Sequence, residues 1–201
     1  MTILALEGVG HAFPGGAALF RDVDAELRAG EVYALTGPSG SGKSTLLSIM
    51  AGWVPPLEGR VVRHGVGKVA WVFQNPHGVA RRTALDHVVL PYLAQGLRRR
   101  EGEARAREQL ESFGLAPVAD HDFATLSGGE AQRLMLARGI ACSPDLLLVD
   151  EPTAQLDRRT AEVVNSTLHA LRVTGTIVVV ATHDPVTRSL CTGMLDLGAF
   201  R

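Results

Sequence analysis

Cysteine is scarce in this chain: two residues, Cys142 and Cys191, in 201. They stand far apart and match no metal-ligand spacing, which argues against a zinc module and leaves two reduced thiols of a reducing compartment. Excess charge of one sign is also missing. Lys and Arg total 20 against 21 Asp and Glu, a formal net charge of −1, so there is no large uniform basic surface for nucleic acid. No run approaches the roughly 18 apolar residues of a membrane span. The longest, Leu146 to Val149 and Ile177 to Ala181, are short and strand-like. The opening MTILALEGVGHAF has no basic n-region and no small-residue cleavage site, so no signal peptide is expected. Internal repeats, low-complexity tracts and long coiled coils are absent too. What is there, 46% apolar and 20% charged, is a foldable chain long enough for one domain with an inserted subdomain. It is expected to be soluble and cytoplasmic, with any membrane part supplied by other chains.

Against this plain composition stands one run, Gly37-Pro38-Ser39-Gly40-Ser41-Gly42-Lys43-Ser44-Thr45, which fits G-x-x-x-x-G-K-[ST]. The glycines let the backbone curl until several N–H groups point at one anion. Lys43 adds a point charge for β- and γ-phosphates, and the Ser44 hydroxyl can ligate Mg²⁺. A strand-like stretch, Glu31 to Thr36, runs in; a helix-like one, Ser44 to Ala51, runs out and sets its N-terminus against the phosphates.

Elsewhere Ile3–Leu6, Val23–Leu27, Val61-Val62 and Val69–Phe73 read as strands, the last ending at Gln74, and the helix after the phosphate loop stops at Gly52 before Pro55-Pro56. From about Asn75 the character turns helical: Thr83–Leu97, Glu103–Phe113 and Glu130–Cys142. Arg98-Arg99-Arg100, set among Glu101, Glu103 and Glu108, reads as a solvated mixed-charge face. Leu146–Val149 and Ile177–Thr182 are fully apolar, as in strands buried on both faces of a parallel sheet. Thr160–Val173 carries Val163, Val164, Leu168 and Leu171 at helical spacing, and Met194–Leu197 closes the domain. Strands alternating with helices around a phosphate loop indicate a mainly parallel α/β sheet.

Two further motifs carry chemistry. Leu147-Leu148-Val149-Asp150-Glu151 is an apolar strand ending in two carboxylates, at the strand end where open parallel sheets bind ligands. Asp150 is placed to hold Mg²⁺, directly or through water, and Glu151, facing differently, to orient or deprotonate an attacking water. Leu126-Ser127-Gly128-Gly129-Glu130 precedes a helix and offers a second anion site without a lysine. One complete phosphate loop and one lysine-free anion loop suggest a shared site, with Ser127 and Gly129 of one copy capping the γ-phosphate held by another.

The phosphate loop at 37–45, LSGGE at 126–130 and LLLVDEP at 146–152 together resemble the nucleotide-binding subunit of an ATP-binding cassette (ABC) transporter, over nearly the whole chain. LSGGE is the most specific part, since other phosphate-loop ATPases lack it. The resemblance implies a P-loop NTPase of α/β class: a mainly parallel core sheet, an N-terminal antiparallel β region and an inserted α-helical subdomain. Residues 1–75 and 140–201 would form the nucleotide-binding core and 76–139 the helical subdomain. It implies that Gln74 reaches Mg²⁺ or the attacking water and senses the membrane subunit, and that His183 is the switch histidine on the γ-phosphate. Asp157 would cross the dimer interface, and Phe13 would stack on adenine. The partners implied are integral membrane permease subunits and a second cassette chain, a homodimer, on the inner face of the cell membrane, with no nucleic acid.

Within the family, Ala84–Pro91, Glu151–Thr153 and Leu156-Asp157 look similar to the lipoprotein-release and macrolide-efflux ATPases. Gln155 replaces the small or amide residue usual there, and the short segment between Gly52 and Gln74 suggests a trimmed antiparallel region. Two other roles use the same residues: a mechanotransmission ATPase signalling through a membrane partner without moving solute, and a DNA-associated cassette. The latter usually carries long coiled coils or zinc modules that this chain lacks.

Overall fold

The computed structural model describes residues 2–154 and 156–200; Gln155 lies outside them. Its strands in chain order are β1 (Ile3–Ala12), β2 (Ala18–Arg28), β3 (Val32–Thr36), β4 (Glu58–His64), β5 (Val69–Val72), β6 (Leu146–Asp150), β7 (Ile177–Ala181) and β8 (Gly193–Asp196). The α-helices are α1 (Lys43–Ala51), α2 (Ala84–Ala94), α3 (Arg99–Ser112), α4 (Gly128–Ala141), α5 (Arg158–Ala170) and α6 (Pro185–Ser189).

Five strands form a sheet in the order β5-β6-β7-β3-β8, and every pair in it is parallel. Its centre is dry. All five residues of β6 and all five of β7 are buried, and the two-residue side-chain period sorts them onto two faces. Leu146, Leu148, Ile177 and Val179 join Leu46, Leu47, Ile49 and Met50 of α1 on one face. Leu147, Val149, Val178 and Val180 meet Val88, Leu110, Leu134, Val164 and Leu168 from the helices on the other.

A second, antiparallel sheet in the order β2-β1-β4 lies over the α1 side, where Leu4, Leu6, Val9 and Phe20 enter the same cluster. The short stretch between Gly52 and Gln74, expected to trim this region, still supplies the seven-residue β4, paired along β1 from Ile3↔His64 to Gly10↔Glu58. Arg63 on β4 donates from Nη2 to the carbonyls of Ile49 (3.1 Å) and Met50 (2.9 Å), closing the end of α1 that Gly52 caps in the left-handed region.

Boundaries moved where local backbone chemistry outweighed periodicity. Strand β5 stops at Val72, two residues short of Gln74. Helix α2 ends at Ala94, because Gly96 turns the chain at φ +91°, and α3 starts four residues earlier than the expected Glu103, taking in the mixed-charge face. There Arg99 pairs with Glu103 at 2.6 Å and Arg105 with Glu101 at 3.1 Å. Beyond Ala170 the helical pattern tightens into a 3₁₀ turn, Leu171–Thr174. Among the described residues no helix is long and apolar enough to cross a membrane.

Candidate nucleotide site

Parallel pairing puts the carboxyl ends of four strands on one rim. Strand β3 leads into Gly37, β5 towards Gln74, β6 into Glu151 and β7 into Thr182-His183. The register holds them level, with both Leu35 and Asp150 opposite Ala181. Above this rim lies a cleft of about 1270 Å³.

The phosphate loop forms one wall. Gly37, Gly40 and Gly42 sit at φ +140°, +76° and +93°. A methyl group at Gly42 would lie 2.9 Å from the Phe20 ring, so only glycine allows the loop to press against β2 as it opens α1. Pro38 and Ser39 are exposed, Thr45 and Ser44 line the cleft, and Ser41 is buried with its hydroxyl unpartnered among the described residues.

Lys43 is only 9% exposed, and its ammonium donates to the carbonyls of Gly37 (2.9 Å) and Pro38 (3.3 Å). It also lies 3.0 Å from His183 Nε2. Opposite, the Ser44 hydroxyl donates to Asp150 Oδ2 at 2.7 Å. A hydroxyl beside a carboxylate, open to the cleft, is the hard-oxygen pair that Mg²⁺ accepts while keeping waters and phosphate oxygens as its other ligands. No cluster of three or more His, Cys, Asp or Glu that could hold a metal occurs among the described residues. Positive-φ loop, buried ammonium and hydroxyl–carboxylate pair are the donor set a magnesium nucleotide needs.

Glu151 adopts φ +46°, a conformation that costs a non-glycine residue on the order of 1–3 kcal/mol. The turn swings its carboxylate away from Asp150 towards His183. Glu151 Oε1 lies 3.4 Å from His183 Nε2, and the His183 backbone N–H donates to Oε2 at 3.4 Å. The same imidazole nitrogen thus faces an ammonium and a carboxylate. It accepts from Lys43 or donates to Glu151, and cannot do both in one tautomer. Gln74 and Phe13 also line the cleft, Phe13 at 56% exposure and edge-on to His11.

The structure does not bring the remaining expected residues into this cleft. Leu126 to Glu130 are absent from its walls, as is Asp157, although Leu156 and Arg158 on either side contribute. Asp157 caps α5, accepting from the Thr160 N–H at 3.0 Å. Ser127 caps α4 in a reciprocal box. Its N–H and hydroxyl both donate to Glu130 Oε2, at 2.8 and 2.7 Å, and its oxygen accepts from the Glu130 N–H at 3.3 Å. These bonds hold the Glu130 carboxyl below the usual carboxylate range. The Ser127 N–H, expected to be open to an anion, is therefore occupied in this state. Gly128 and Gly129 carry the first-turn N–H groups left over among the described residues.

Several supporting residues escaped sequence reasoning. Gln132, 4% exposed, donates weakly to the Phe73 carbonyl at 3.4 Å and so connects α4 to the residue before Gln74. Asp184 caps the five-residue α6 through Val186 N (3.1 Å) and Thr187 N (3.0 Å), and the Thr187 hydroxyl reaches both Asp184 and Asn165. The Asp184-Pro185 pair is a helix-start signal that could have revealed this.

A family profile described as ABC transporter matches residues 20–154. The lipoprotein-releasing system ATP-binding protein LolD 2 of Caulobacter vibrioides is 40% identical, over 90% of this chain and 88% of its own length. The macrolide export ATP-binding/permease protein MacB 1/2 of Paracoccus denitrificans is 37% identical over 91% of this chain, which spans 30% of that longer protein. Among solved structures, the dimeric post-hydrolysis state of the ATP-binding cassette MJ0796 bound to ADP and Pi superposes with a TM-score of 0.85. It is 31% identical, with 97% of this chain and 95% of that one covered.

Proposed function

The chain belongs to the ABC transporter family as its ATP-binding, ATP-hydrolysing subunit, and we propose that two copies close head to tail over two ATP molecules to drive transport through separate membrane subunits. One observation carries the two-chain reading. The phosphate loop, Asp150, Glu151, Gln74 and His183 share a cleft, whereas Leu126 to Glu130 stay outside it. A second copy would bring its Ser127 and Gly129 to the open side of that cleft, and the dimeric arrangement of the MJ0796 cassette supports this.

Each residue then has a task set by its position. The N–H groups of residues 40–45 and Lys43 receive the β- and γ-phosphates, and Phe13 stacks on the adenine. Ser44, Asp150 and Gln74 would hold Mg²⁺, which when bound supplies positive charge against the phosphate oxygens. An arriving γ-phosphate draws Lys43 from His183, and the freed imidazole turns its N–H to that phosphate. Glu151, held off the strand axis by its backbone turn, accepts the proton of the attacking water. The signature loop of the second copy excludes bulk water and completes the charge shell. Residues 1–75 and 140–201 act as the nucleotide core, and 76–139 as the helical lobe.

The chain would work against the inner face of the cell membrane, docked on permease subunits. Trp53, Trp71 and Phe73 support that docking. Trp71 lies 4.9 Å from each of the other two rings, and Trp53 (64% exposed) and Phe73 (41%) present an apolar surface beside Gln74.

The test is Ser127→Ala. It is expected to leave ATP affinity of the dilute single chain unchanged while lowering turnover by about tenfold or more, as loss of a phosphate donor does. Native activity per chain should rise with chain concentration. Constant activity at extreme dilution, with ATP affinity lost in the variant, would place the signature in the same chain's site and overturn the reading.

A further inference from the structure

The loop that carries Gln74 is hung between two points. Strand β5 holds its start, ending at Val72. Among the described residues none from Gln74 to Gly78 makes a backbone hydrogen bond to another element. The first anchor beyond them is the Val79 N–H, which donates to His87 Nε2 at 2.9 Å. His87 lies near the start of α2 and is 6% exposed. Its other ring nitrogen, Nδ1, lies 2.7 Å from the Thr83 carbonyl. A carbonyl only accepts, so Nδ1 carries the proton; the Val79 N–H only donates, so Nε2 is bare. These two partners admit one form of the ring, the neutral Nδ1–H tautomer.

We propose that His87 is a positioning residue whose neutral imidazole latches the far end of the Gln74 loop, and that protonation opens the latch and lets Gln74 leave the cleft. This rests on the task given to Gln74 above. A proton on Nε2 sets two donors face to face, so the Val79 N–H must move away. Beyond Val79 the chain is held independently: Phe123 N donates to the Arg82 carbonyl at 2.9 Å and Ala124 N to the Ala80 carbonyl at 3.1 Å. Release is therefore confined to the residues between Val72 and Val79, Gln74 among them, and leaves the helices in place.

The surroundings set the sign of the response. Arg82 on the loop, Arg99 at the start of α3 and Arg138 on α4 line the same hollow as His87, together with Asp86 of α2. Asp86 is shared with Arg99 at 3.5 Å. The segment before the signature presents the Phe123 ring, its centroid 5.4 Å from that of the imidazole. Burial is the main force holding His87 below its ordinary value of 6.5; Arg138 and Arg82 add to it, against the Thr83 hydrogen bond and Asp86. An opened imidazole returns to water and to that ordinary value, so it binds a proton more tightly than the latched one. The open form therefore gains on the latched form as pH falls below about 6.5, and the latch is complete above it.

The experiment uses the full chain beside two variants. His87→Gln offers a side-chain oxygen to the Val79 N–H and does not titrate; His87→Leu offers no acceptor. Turnover at saturating ATP and amide exchange of residues 73–83 are followed from about pH 8 to about pH 5, across the imidazole range. Comparison at one pH cancels the intrinsic pH dependence of exchange, and changes at His183 or Glu151 are common to the chains and drop out of the ratio. Turnover of the native chain relative to Gln should fall about three- to tenfold over that range, the span of one intramolecular hydrogen bond, while relative exchange at Val79 rises by a like factor. Leu should be slow in turnover and fast in exchange at every pH, with ATP affinity native, since Lys43, Ser44 and Phe13 are untouched. In the native chain alone, the Val79 amide resonance should titrate together with the His87 ring, at a midpoint below the ordinary 6.5. A Val79 amide indifferent to that titration, or a native-to-Gln exchange ratio flat with pH, overturns the latch. A loop that opens while the turnover ratio stays flat overturns instead the task given to Gln74, and exchange alone tells the two failures apart.

Discussion

The Lys43–His183–Glu151 line sets what single residues can do here. An ammonium and a carboxylate meet at one imidazole nitrogen, so on the proposed reading the arrival of a phosphate oxygen changes both contacts at once. Asp184, next in sequence, caps the helix α6 that follows. Burial raises its pKa, but hydrogen bonds from the Thr187 side chain and backbone and from Val186 N more than compensate and hold it below its usual 3.8. A carboxyl depressed in the folded state contributes stability that is fully present above the unfolded pKa and is lost as pH falls through the folded one. Asp184→Ala should therefore cost about 1 kcal/mol at neutral pH, as loss of a helix cap does. The gap from native, followed by urea unfolding, should hold down to about pH 4 and narrow only below it. A gap that widens in acid would mean that Asp184 is not the ionised cap.

Strands β6 and β7 carry the structure at the scale of elements, and they were also its most legible part. Their unbroken apolar runs admit burial on both faces and little else, and a β6 strand ending in Asp150-Glu151 had to deliver both carboxylates to the rim. Leu148→Ala, opposite Val179 in the sheet, should lower unfolding free energy by about 2–5 kcal/mol in a urea titration; a change under about 1 kcal/mol would contradict its place in the core. The phosphate loop was equally plain, because its glycines and lysine are fixed by local spacing. Other features were hidden for identifiable reasons. Helix α6 is too short for a 3.6-residue period to show. The left-handed turn at Glu151 has no signature in residue type. Occupation of the Ser127 N–H by Glu130 depends on a side-chain rotamer, although the S-x-x-E spacing of a capping box was there to be read. Contacts such as Gln132 to Phe73 join residues far apart in sequence and follow only from the three-dimensional packing.

On the proposed two-chain reading, the whole molecule is an unfinished enzyme in one copy. Its parallel sheet gathers phosphate loop, carboxylates and histidine along one rim, while the signature sits at the start of α4, outside the cleft and held closed by its own glutamate. The likeness to a dimeric cassette and the separation of these two surfaces support the proposal that hydrolysis waits for a second chain. The most direct measurement is the mass of the Glu151→Gln variant with and without ATP, by light scattering, alongside its turnover. Without the carboxylate base, turnover should fall by about 10²- to 10⁴-fold, and ATP should shift the protein to twice the single-chain mass and hold it there. A variant that stays a single chain at saturating ATP, or that still turns over at the native rate, contradicts the account.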